Sequence, residues 1–213
     1  MARLQLVAAT RNSGKLREIS DLLSRLDVTV RALGDYPGAP EPEETGATFF
    51  ENAVIKAVAA ASYTGEVAVA DDSGLVVDAL GGAPGVMSAR YGGNGASDQG
   101  RYEKLLAEME HVPDADRTAR FVCVVAVASP DGSVSSSEGV VEGAIARAPR
   151  GTGGFGYDPV FLIPELGLTF GELPAVAKNG MSHRARALAG AEPLILEALS
   201  RWNARRKSSR GLR

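Results

Sequence analysis

Short apolar runs alternate along the chain with segments in which apolar residues recur at every third or fourth position. The runs predict β-strands, because a buried strand is apolar over about four to eight residues. One of them, Phe121–Ala128, is apolar throughout, which is typical of a central strand covered on both faces. The predicted strands are Leu4–Ala9, Thr29–Leu33, Val67–Ala70, Phe121–Ala128, Ser133–Ala146 and Asp158–Ile163.

The periodic segments predict amphipathic helices, each preceded by a residue that can cap it. Thr48 and Glu51 have the spacing of a capping box before one helix, and Ser97 precedes another. A C-terminal helix follows the cap residue Ser182, and we expect Gly190 and Pro193 to break or kink it. Strands that alternate with helices predict an α/β fold built on a mixed β-sheet flanked by helices.

Charge is unevenly distributed along the chain. The last thirteen residues hold six Lys or Arg and no acid, which leaves 17 basic against 26 acidic residues, a net charge of −9, in the remainder. An acidic body disfavours binding to nucleic acid, which depends on neutralising phosphates. We expect one domain over residues 1–205 and a flexible basic tail over residues 206–213.

The single cysteine and the short apolar runs indicate the cellular setting. Cys123 lies in a predicted buried strand and has no possible disulfide partner within the chain, which suits a reducing compartment. No apolar run approaches the length of a membrane span, and the chain enters a strand at once, without a signal peptide. These features predict a cytoplasmic protein that does not bind membranes.

The turn in the sequence ATRNSGKLREI, between the first predicted strand and the first predicted helix, has the features of an anion site. Free backbone N–H groups at a helix N-terminus favour an anion, and Lys15 adds a positive charge. The turn is not a Walker A loop, because Ala9 replaces its first glycine and Leu16 replaces its Ser or Thr. A capped turn with a solvated lysine is the alternative.

Two acidic pairs are candidates for a metal site. Asp71 and Asp72 follow the predicted strand Val67–Ala70, and sites in open α/β sheets lie at the carboxyl ends of strands. Glu43 and Glu44 lie in the loop before the second helix. Neighbouring carboxylates repel each other unless a cation relieves them, and Mg²⁺ prefers one or two carboxylates together with substrate phosphates. The alternative for each pair is a solvated polar turn.

Two further stretches have features of a base-binding site. In GTGGFGYDPVF, glycines surround Phe155, and stacking of a planar base on its ring would be worth roughly 1–3 kcal/mol. This stretch is a weak Rossmann fingerprint, because a strand-like run follows it instead of a helix. In KNGMSHRARAL, His183 and Arg184 begin a helix, where the dipole disfavours cations. A hairpin with a core phenylalanine and a tolerated surface pair are the alternatives.

Taken in order, five stretches resemble successive motifs of the inosine triphosphate pyrophosphatases, from about residue 4 to about residue 200. They are ATRNSGKLREI, EETGATFFENAVIKA, ADDSGLVVDALGGAPGVMSARYGG, GTGGFGYDPVF and KNGMSHRARAL. The resemblance implies an elongated mixed sheet in two lobes, a central active-site cleft and a homodimer. It also implies hydrolysis of ITP, dITP and XTP to the monophosphate and pyrophosphate, dependent on Mg²⁺, with Mn²⁺ as a substitute.

The same resemblance implies roles for individual residues. Asp72 matches the general base and a metal ligand, Asp71 lies beside it at the metal, and Glu44 matches the catalytic glutamate near the metal. Lys15 matches a catalytic group that offsets charge on the leaving pyrophosphate. The positions that match substrate binding are Thr10, Arg11, Asn12, Ser13, Gly14 and Lys15 in the phosphate-binding turn, Lys56 and Lys178 facing the triphosphate, Ser73 at a substrate contact, Phe155, Gly156, Tyr157 and Asp158 in the base-binding segment, and His183 and Arg184 at the purine edge.

Two other interpretations stay open at this level. One is a related pyrophosphatase that removes other modified nucleotides, which a panel of nucleoside triphosphates would distinguish. The other is a non-catalytic nucleotide-binding module, which would keep Phe155 and His183 but would not need Asp71, Asp72 and Glu44 together. The joint presence of the three acids favours an enzyme.

Overall fold

The computed structural model describes residues 4–93 and 95–210, with the backbone alone for residues 209 and 210. The strands are β1 (Leu4–Ala8), β2 (Val28–Ala32), β3 (Val67–Val77), β4 (Thr118–Ala128), β5 (Val134–Ile145), β6 (Phe161–Ile163) and β7 (Leu168–Thr169). The α-helices are α1 (Ser13–Leu23), α2 (Phe49–Thr64), α3 (Asp98–Glu108), α4 (Ala175–Met181) and α5 (His183–Arg210).

The seven strands form one mixed sheet in the order β2-β1-β3-β4-β5-β6-β7. Strand β1 pairs in parallel with β2 and with β3, whereas β6 pairs antiparallel with β5 and with β7. The parallel strands β1 and β2 are joined by helix α1, whereas the antiparallel strands β6 and β7 are joined by a short turn. The predicted α/β fold with a mixed sheet is therefore confirmed.

Contacts divide the chain into two compact units. Unit 1 comprises Met1–Asp72, Val124–Gly139 and Arg186–Arg213, and unit 2 comprises Ser73–Cys123 and Val140–Ala185. Strand β3 passes from unit 1 to unit 2 between Asp72 and Ser73.

The core of unit 1 is built from small side chains. Ala53 and Ala57 of α2 pack with Ala68 and Ala70 of β3, and all four are almost fully buried. Methyl groups let the helix approach the sheet closely, so α2 holds its polar residues near the strand. The capping box of Thr48 and Glu51 fixes the start of this helix, as predicted.

The core of unit 2 is aromatic. The rings of Phe121, Phe161 and Phe170 contact one another with centroids 4.5–6.0 Å apart. The imidazole of His183 stacks on Phe121 at 4.6 Å, with an angle of 12° between the rings. A rigid aromatic core therefore supports the start of α5 within this unit.

Helix α5 differs from the prediction, because it is continuous from His183 to Arg210 through Gly190 and Pro193. Gly190 serves close packing, since an added Cβ would collide with the hydroxyl of Ser137 on β5. The predicted break is therefore wrong. Ser182 does cap this helix, since its Oγ accepts a hydrogen bond from the Ala185 N–H at 3.2 Å.

The predicted basic tail is partly helical. Residues 206–210 continue α5, and residues 211–213 lie outside the described part of the chain. Arg206 donates to both carboxylate oxygens of Glu66 at 2.7 and 2.8 Å, and Arg205 pairs with Asp131. Two basic groups of the C-terminal segment are thus neutralised within unit 1. Among residues 4–93 and 95–210, no helix is long and apolar enough to cross a membrane.

Candidate active site

The predicted phosphate-binding turn lies beside β3 because of the register of the parallel strands. Ala8 pairs with Val69, so the residues that follow β1 lie next to Asp71. Asn12 caps α1, with its Oδ1 accepting a hydrogen bond from the Lys15 N–H at 3.0 Å, and Thr10 Oγ1 accepts from the Asn12 N–H at 3.2 Å. The turn is thus capped at the start of α1, and binding of an anion there stays a prediction.

Within this turn, Ser13 and Gly14 form the first residues of α1. Arg11 points to the loop before α2, where its guanidinium donates to the Ala39 carbonyl at 3.0 Å and lies 3.5 Å from Glu41. Both side chains of that ion pair are more than half exposed, so the pair is weak. Arg11 therefore tethers the loop in this structure.

Contrary to the prediction, the strand does not end at Ala70, and Asp71 and Asp72 lie within it. Strand β3 continues to Val77, and both carboxylates are buried within it. Side chains alternate along a strand, so the two carboxylates project from opposite faces of the sheet. Ala68 and Ala70, on the same face as Asp72, pack against α2. The alternation reduces the mutual repulsion that adjacent acids in a turn would suffer.

Each of the two aspartates has its own lysine. Lys15 Nζ lies 3.1 Å from Asp71 Oδ2, and Lys56 Nζ lies 2.9 Å from Asp72 Oδ1. Lys56 also lies 2.7 Å from Glu44 Oε1, so one ammonium group bridges Glu44 and Asp72. These five residues form the carboxylate–lysine cluster of unit 1. Buried acids require such partners, because an isolated buried charge is very costly.

Asn52 also contacts this cluster, although none of the sequence motifs predicted a role for it. Asn52 and Lys56 are four residues apart on α2 and therefore share one helix face. The Asn52 Nδ2 donates to Asp72 Oδ2 at 3.3 Å, and its Oδ1 accepts from the Gly46 N–H at 2.8 Å. Asn52 is 1% exposed and connects the Asp72 carboxylate with the loop that carries Glu44. The signal that could have identified it is its spacing from Lys56.

The surroundings raise the pKa of both Asp72 and Lys56, but for different reasons. Burial raises the pKa of Asp72, and the positive charges of Lys56 and Lys15 offset this only in part. Burial alone would lower the pKa of Lys56, but attraction to Asp72, Asp71 and Glu44 outweighs it, so the pKa is raised. Lys56 is therefore held protonated, and Asp72 accepts a proton more readily than an exposed aspartate.

The predicted metal ligands are only partly brought together. Glu44 and Asp72 share the ammonium group of Lys56, whereas Asp71 lies on the other face of β3 with Lys15. Among the residues that the structure describes, no group of three or more His, Cys, Asp or Glu side chains is arranged to hold a metal ion.

The predicted base-binding segment lies in unit 2, in the loop before β6. The Asp158 carboxylate accepts hydrogen bonds through Oδ2 from the Phe155 N–H at 2.8 Å and from Lys178 Nζ at 2.6 Å. Lys178 Nζ also lies 4.9 Å from the centroid of the Phe155 ring. Gly154 has a φ of 73°, and an added Cβ would overlap the Asp158 carboxylate. The loop geometry thus requires glycine at position 154.

Lys178 contacts this segment in unit 2, whereas the family resemblance groups it with Lys56 as a lysine that faces the triphosphate. It is buried, with 5% of its side chain exposed, and its ion pair with Asp158 is equally buried. A contact with phosphate stays a prediction for Lys178, and the structure adds a role in shaping the loop.

The remaining predicted residues of unit 2 surround the same segment. Arg184 is 1% exposed, and its guanidinium donates to Ser73 Oγ at 2.9 Å and lies 5.7 Å from the centroid of the Phe155 ring. The Tyr157 hydroxyl donates to the Ser88 carbonyl at 2.9 Å, which anchors the C-terminal end of the segment. His183 stacks on Phe121. A second group of contacting residues therefore lies in unit 2. We call it the base-segment cluster, and it consists of Ser73, Phe155, Asp158, Lys178 and Arg184.

The chain is also similar to known proteins. A family model described as the Ham1 family matches residues 6–193. The chain is 57% identical over 185 residues to the dITP/XTP pyrophosphatase of Geobacter sulfurreducens, covering 87% of this chain and 93% of that protein.

Solved structures of similar proteins have the same fold. A HAM1 protein from Coxiella burnetii superposes with a TM-score of 0.83 at 45% identity, covering 91% of this chain and 99% of that one. A nucleoside triphosphatase, also called dITP/XTP pyrophosphatase, from Mycobacterium abscessus superposes with a TM-score of 0.73 at 44% identity, covering 89% of this chain and all (100%) of that one. The resemblance inferred from the five motifs is confirmed: the chain belongs to the Ham1 family.

Proposed function

We propose that this protein hydrolyses non-standard purine nucleoside triphosphates, namely ITP, dITP and XTP, to the nucleoside monophosphate and pyrophosphate. The observation that carries the proposal is the buried carboxylate of Asp72, held between Lys56 and Asn52 with Glu44 on the same lysine. The names of the similar proteins support the substrate class.

Asp72 is the proton acceptor in the proposed reaction. A water molecule attacks the α-phosphorus and gives its proton to the Asp72 carboxylate. A new P–O bond forms to the water oxygen, the bond from the α-phosphorus to the bridging oxygen breaks, and pyrophosphate leaves. The raised pKa of Asp72 suits a general base, because the best bases have a pKa near the working pH.

Lys15 and Lys56 oppose the negative charge of the triphosphate. Each ammonium group is already ordered by a carboxylate, and both side chains are mostly buried, with 15–16% exposed. Such preorganised charges stabilise the charge that develops on the leaving pyrophosphate without reorganising during the reaction. The capped turn from Thr10 to Lys15 adds the N-terminus of α1 as a further anion-binding element.

The donor set of unit 1 fits a magnesium ion. Glu44 and Asp72 present hard oxygen donors that converge on one cation, the ammonium group of Lys56, and Mg²⁺ is usually bound by one or two carboxylates plus phosphate oxygens. We therefore propose Glu44 and Asp72 as its protein ligands, with Mn²⁺ as a substitute. When bound, such an ion neutralises phosphate charge and lowers the pKa of a bound water.

Selectivity for the purine is proposed to arise in the base-segment cluster. Hypoxanthine and xanthine present an oxygen at the 6-position, where adenine presents an amino group. Arg184 has only hydrogen-bond donors, and the imidazole of His183 can supply another. Donors that face the 6-position would form hydrogen bonds with the oxygen of hypoxanthine or xanthine. With adenine they would face another donor, and a mismatch of this kind discriminates by up to roughly 10⁴-fold. The ring of Phe155 supplies a stacking surface.

A panel of nucleotides tests the proposal. Pyrophosphate release is measured with Mg²⁺ on ITP, dITP, XTP, GTP and ATP. We expect turnover of the first three, weaker turnover of GTP and least of ATP. Chelation should abolish activity, and Mn²⁺ should restore it. A preference for other modified nucleotides would instead support the related pyrophosphatase, and nucleotide binding without pyrophosphate release would support the non-catalytic module.

Asp72→Asn tests the general base. We expect the variant to keep its fold and to lose about 10²–10⁴-fold in kcat, the usual contribution of general acid–base catalysis. Asp116→Asn alters an exposed aspartate of unit 2 and serves as the matched control. Near-normal turnover of folded Asp72→Asn would exclude Asp72 as the base.

A homodimer and a cytoplasmic location are further proposals, and they rest on the family resemblance and on the single buried thiol of Cys123. Light scattering during size-exclusion chromatography tests the dimer, since a mass of 22.1 kDa would identify a monomer.

A further inference from the structure

A carboxylate outside the predicted site contacts the base-binding segment directly. Asp98, the first residue of α3, accepts a hydrogen bond from the Gly156 N–H through Oδ2 at 2.7 Å. The two residues are 58 positions apart in the chain and both belong to unit 2. The length is at the short end expected for a bond to a charged acceptor.

The other oxygen of this carboxylate is fixed as well. Arg101, three residues along α3, contacts Asp98 Oδ1 at 2.5 Å and donates to the Ala96 carbonyl at 2.8 Å. The Asp98 side chain is 46% exposed, and the ion pair holds it in one orientation against the loop. Ser97 caps the same helix turn through the Gly100 N–H, so the backbone that carries Asp98 is also ordered.

The base-binding segment is therefore held by carboxylates at two successive peptide groups. The Phe155 N–H donates to Asp158, and the Gly156 N–H donates to Asp98. Gly156 has a φ of 64°, a conformation that glycine adopts without strain. The Cα of Phe155, which carries the ring, lies between these two bonded peptide groups, so the orientation of the side chain depends on both.

We propose that Asp98 is a positioning residue that sets the orientation of Phe155 for base binding, an inference that rests on the proposed function. Asp98 acts through the Gly156 peptide and does not itself contact the substrate. Asp158, the other anchor, is internal to the family motif, whereas Asp98 reaches the segment from a separate helix. Loss of Asp98 should weaken recognition of the base and leave recognition of phosphate intact.

The experiment compares Asp98→Ala and Asp98→Asn with Asp114→Ala, which removes another exposed carboxylate of unit 2, one that pairs with Arg147. Kinetics on ITP measure recognition of the whole substrate, and inhibition by pyrophosphate measures phosphate recognition alone. For Asp98→Ala we expect a rise in KM for ITP of about five- to tenfold, as for the loss of one partly exposed charged hydrogen bond, with little change in kcat. The inhibition constant of pyrophosphate should stay the same.

Asp98→Asn should recover part of the loss, because its amide oxygen can still accept from the Gly156 N–H. An equal effect of Asp98→Ala on ITP and on pyrophosphate, or no effect beyond that of Asp114→Ala, would overturn the proposal while leaving the proposed function in place.

A second measurement does not depend on activity. Hydrogen exchange of the Gly156 amide, measured without nucleotide, should be faster in Asp98→Ala than in the wild type and in Asp114→Ala. If the wild type does not hydrolyse ITP, the proposed function fails, and the exchange rate alone then decides whether Asp98 orders the segment. Unchanged exchange in Asp98→Ala would refute the positioning role.

Discussion

Replacing Asn52 by leucine removes two hydrogen bonds from the interior of unit 1. Leucine has nearly the same shape as asparagine, so the change deletes polar contacts without opening a cavity. The Gly46 N–H loses its acceptor at 2.8 Å, and Asp72 loses a donor at 3.3 Å. Both hydrogen bonds are made by the amide group of Asn52. Because this residue is 1% exposed, water cannot simply replace that amide group.

The expected magnitude follows from these distances. An amide left without an acceptor costs about 1–3 kcal/mol, and the lower half of that range applies because Gly46 is only half-buried. The bond to Asp72 is long for an N–H···O contact, so we assign it about 1 kcal/mol. Asn52→Leu should therefore lower the free energy of unfolding by roughly 2–3 kcal/mol, equivalent to about 4–12 °C in Tm for a chain of this size.

Activity should fall as well, because Asp72 loses one of the groups that orient it and the Glu44 loop loses its link to α2. Asn52→Asp separates the two contacts. It keeps an acceptor for the Gly46 N–H but places a negative charge beside Asp72, so it should disturb catalysis more than it disturbs the loop.

Urea denaturation and pyrophosphate release on ITP measure the two effects. Gln99→Leu is the matched control, because its exposed amide contacts only Glu103 among the described residues, and it should change stability by less than about 0.5 kcal/mol. If Asn52→Leu proved as stable and as active as Gln99→Leu, the assigned role of this buried amide would be wrong.

Three further changes test the site. Lys56→Met removes a positive charge that lowers the pKa of Asp72, so the pKa of Asp72 should rise. The acid limb of the pH profile of kcat/KM should therefore move to higher pH. A limb that stays in place or moves to lower pH would contradict the assignment. Arg184→Ala should reduce kcat/KM for ITP far more than for ATP, and equal losses on both would identify a structural or phosphate-binding residue. Gly154→Ala should raise KM for ITP by about tenfold or more, because its Cβ would overlap the carboxylate of the base segment. Gly65→Ala, with a similar φ of 68° but open space around it, controls for backbone strain in denaturation measurements.

Sequence by itself determined the features that depend on local chemistry. The capping box of α2 and the cap residues Ser97 and Ser182 place the starts of α2, α3 and α5, because a side chain bonds the backbone only a few positions away. The apolar run around Cys123 lies in β4, and the five motifs identify the family. Local patterns of this kind do not need the rest of the fold, so the α/β class and most strands could be predicted.

Tertiary structure alone decided how far some elements extend. The polar stretch from Asp71 to Gly74 has the composition of a turn, yet it continues β3, because pairing within the sheet and the two lysines outweigh its local preference. Helix α5 likewise continues through Gly190 and Pro193, and Gly190 packs closely against Ser137 of β5. Composition could not predict either result, since both depend on residues far away in the chain.

Partners of the site residues were likewise decided by the fold. The sequence indicated that Asp71 and Asp72 act side by side. Because side chains alternate along β3, however, Asp71 forms an ion pair with Lys15 and Asp72 forms one with Lys56. Asp98 reaches Gly156 only because α3 packs within unit 2. A sequence shows which chemical groups are available and how they are spaced along an element, whereas contacts between elements arise only when the strands pair and the helices pack against them.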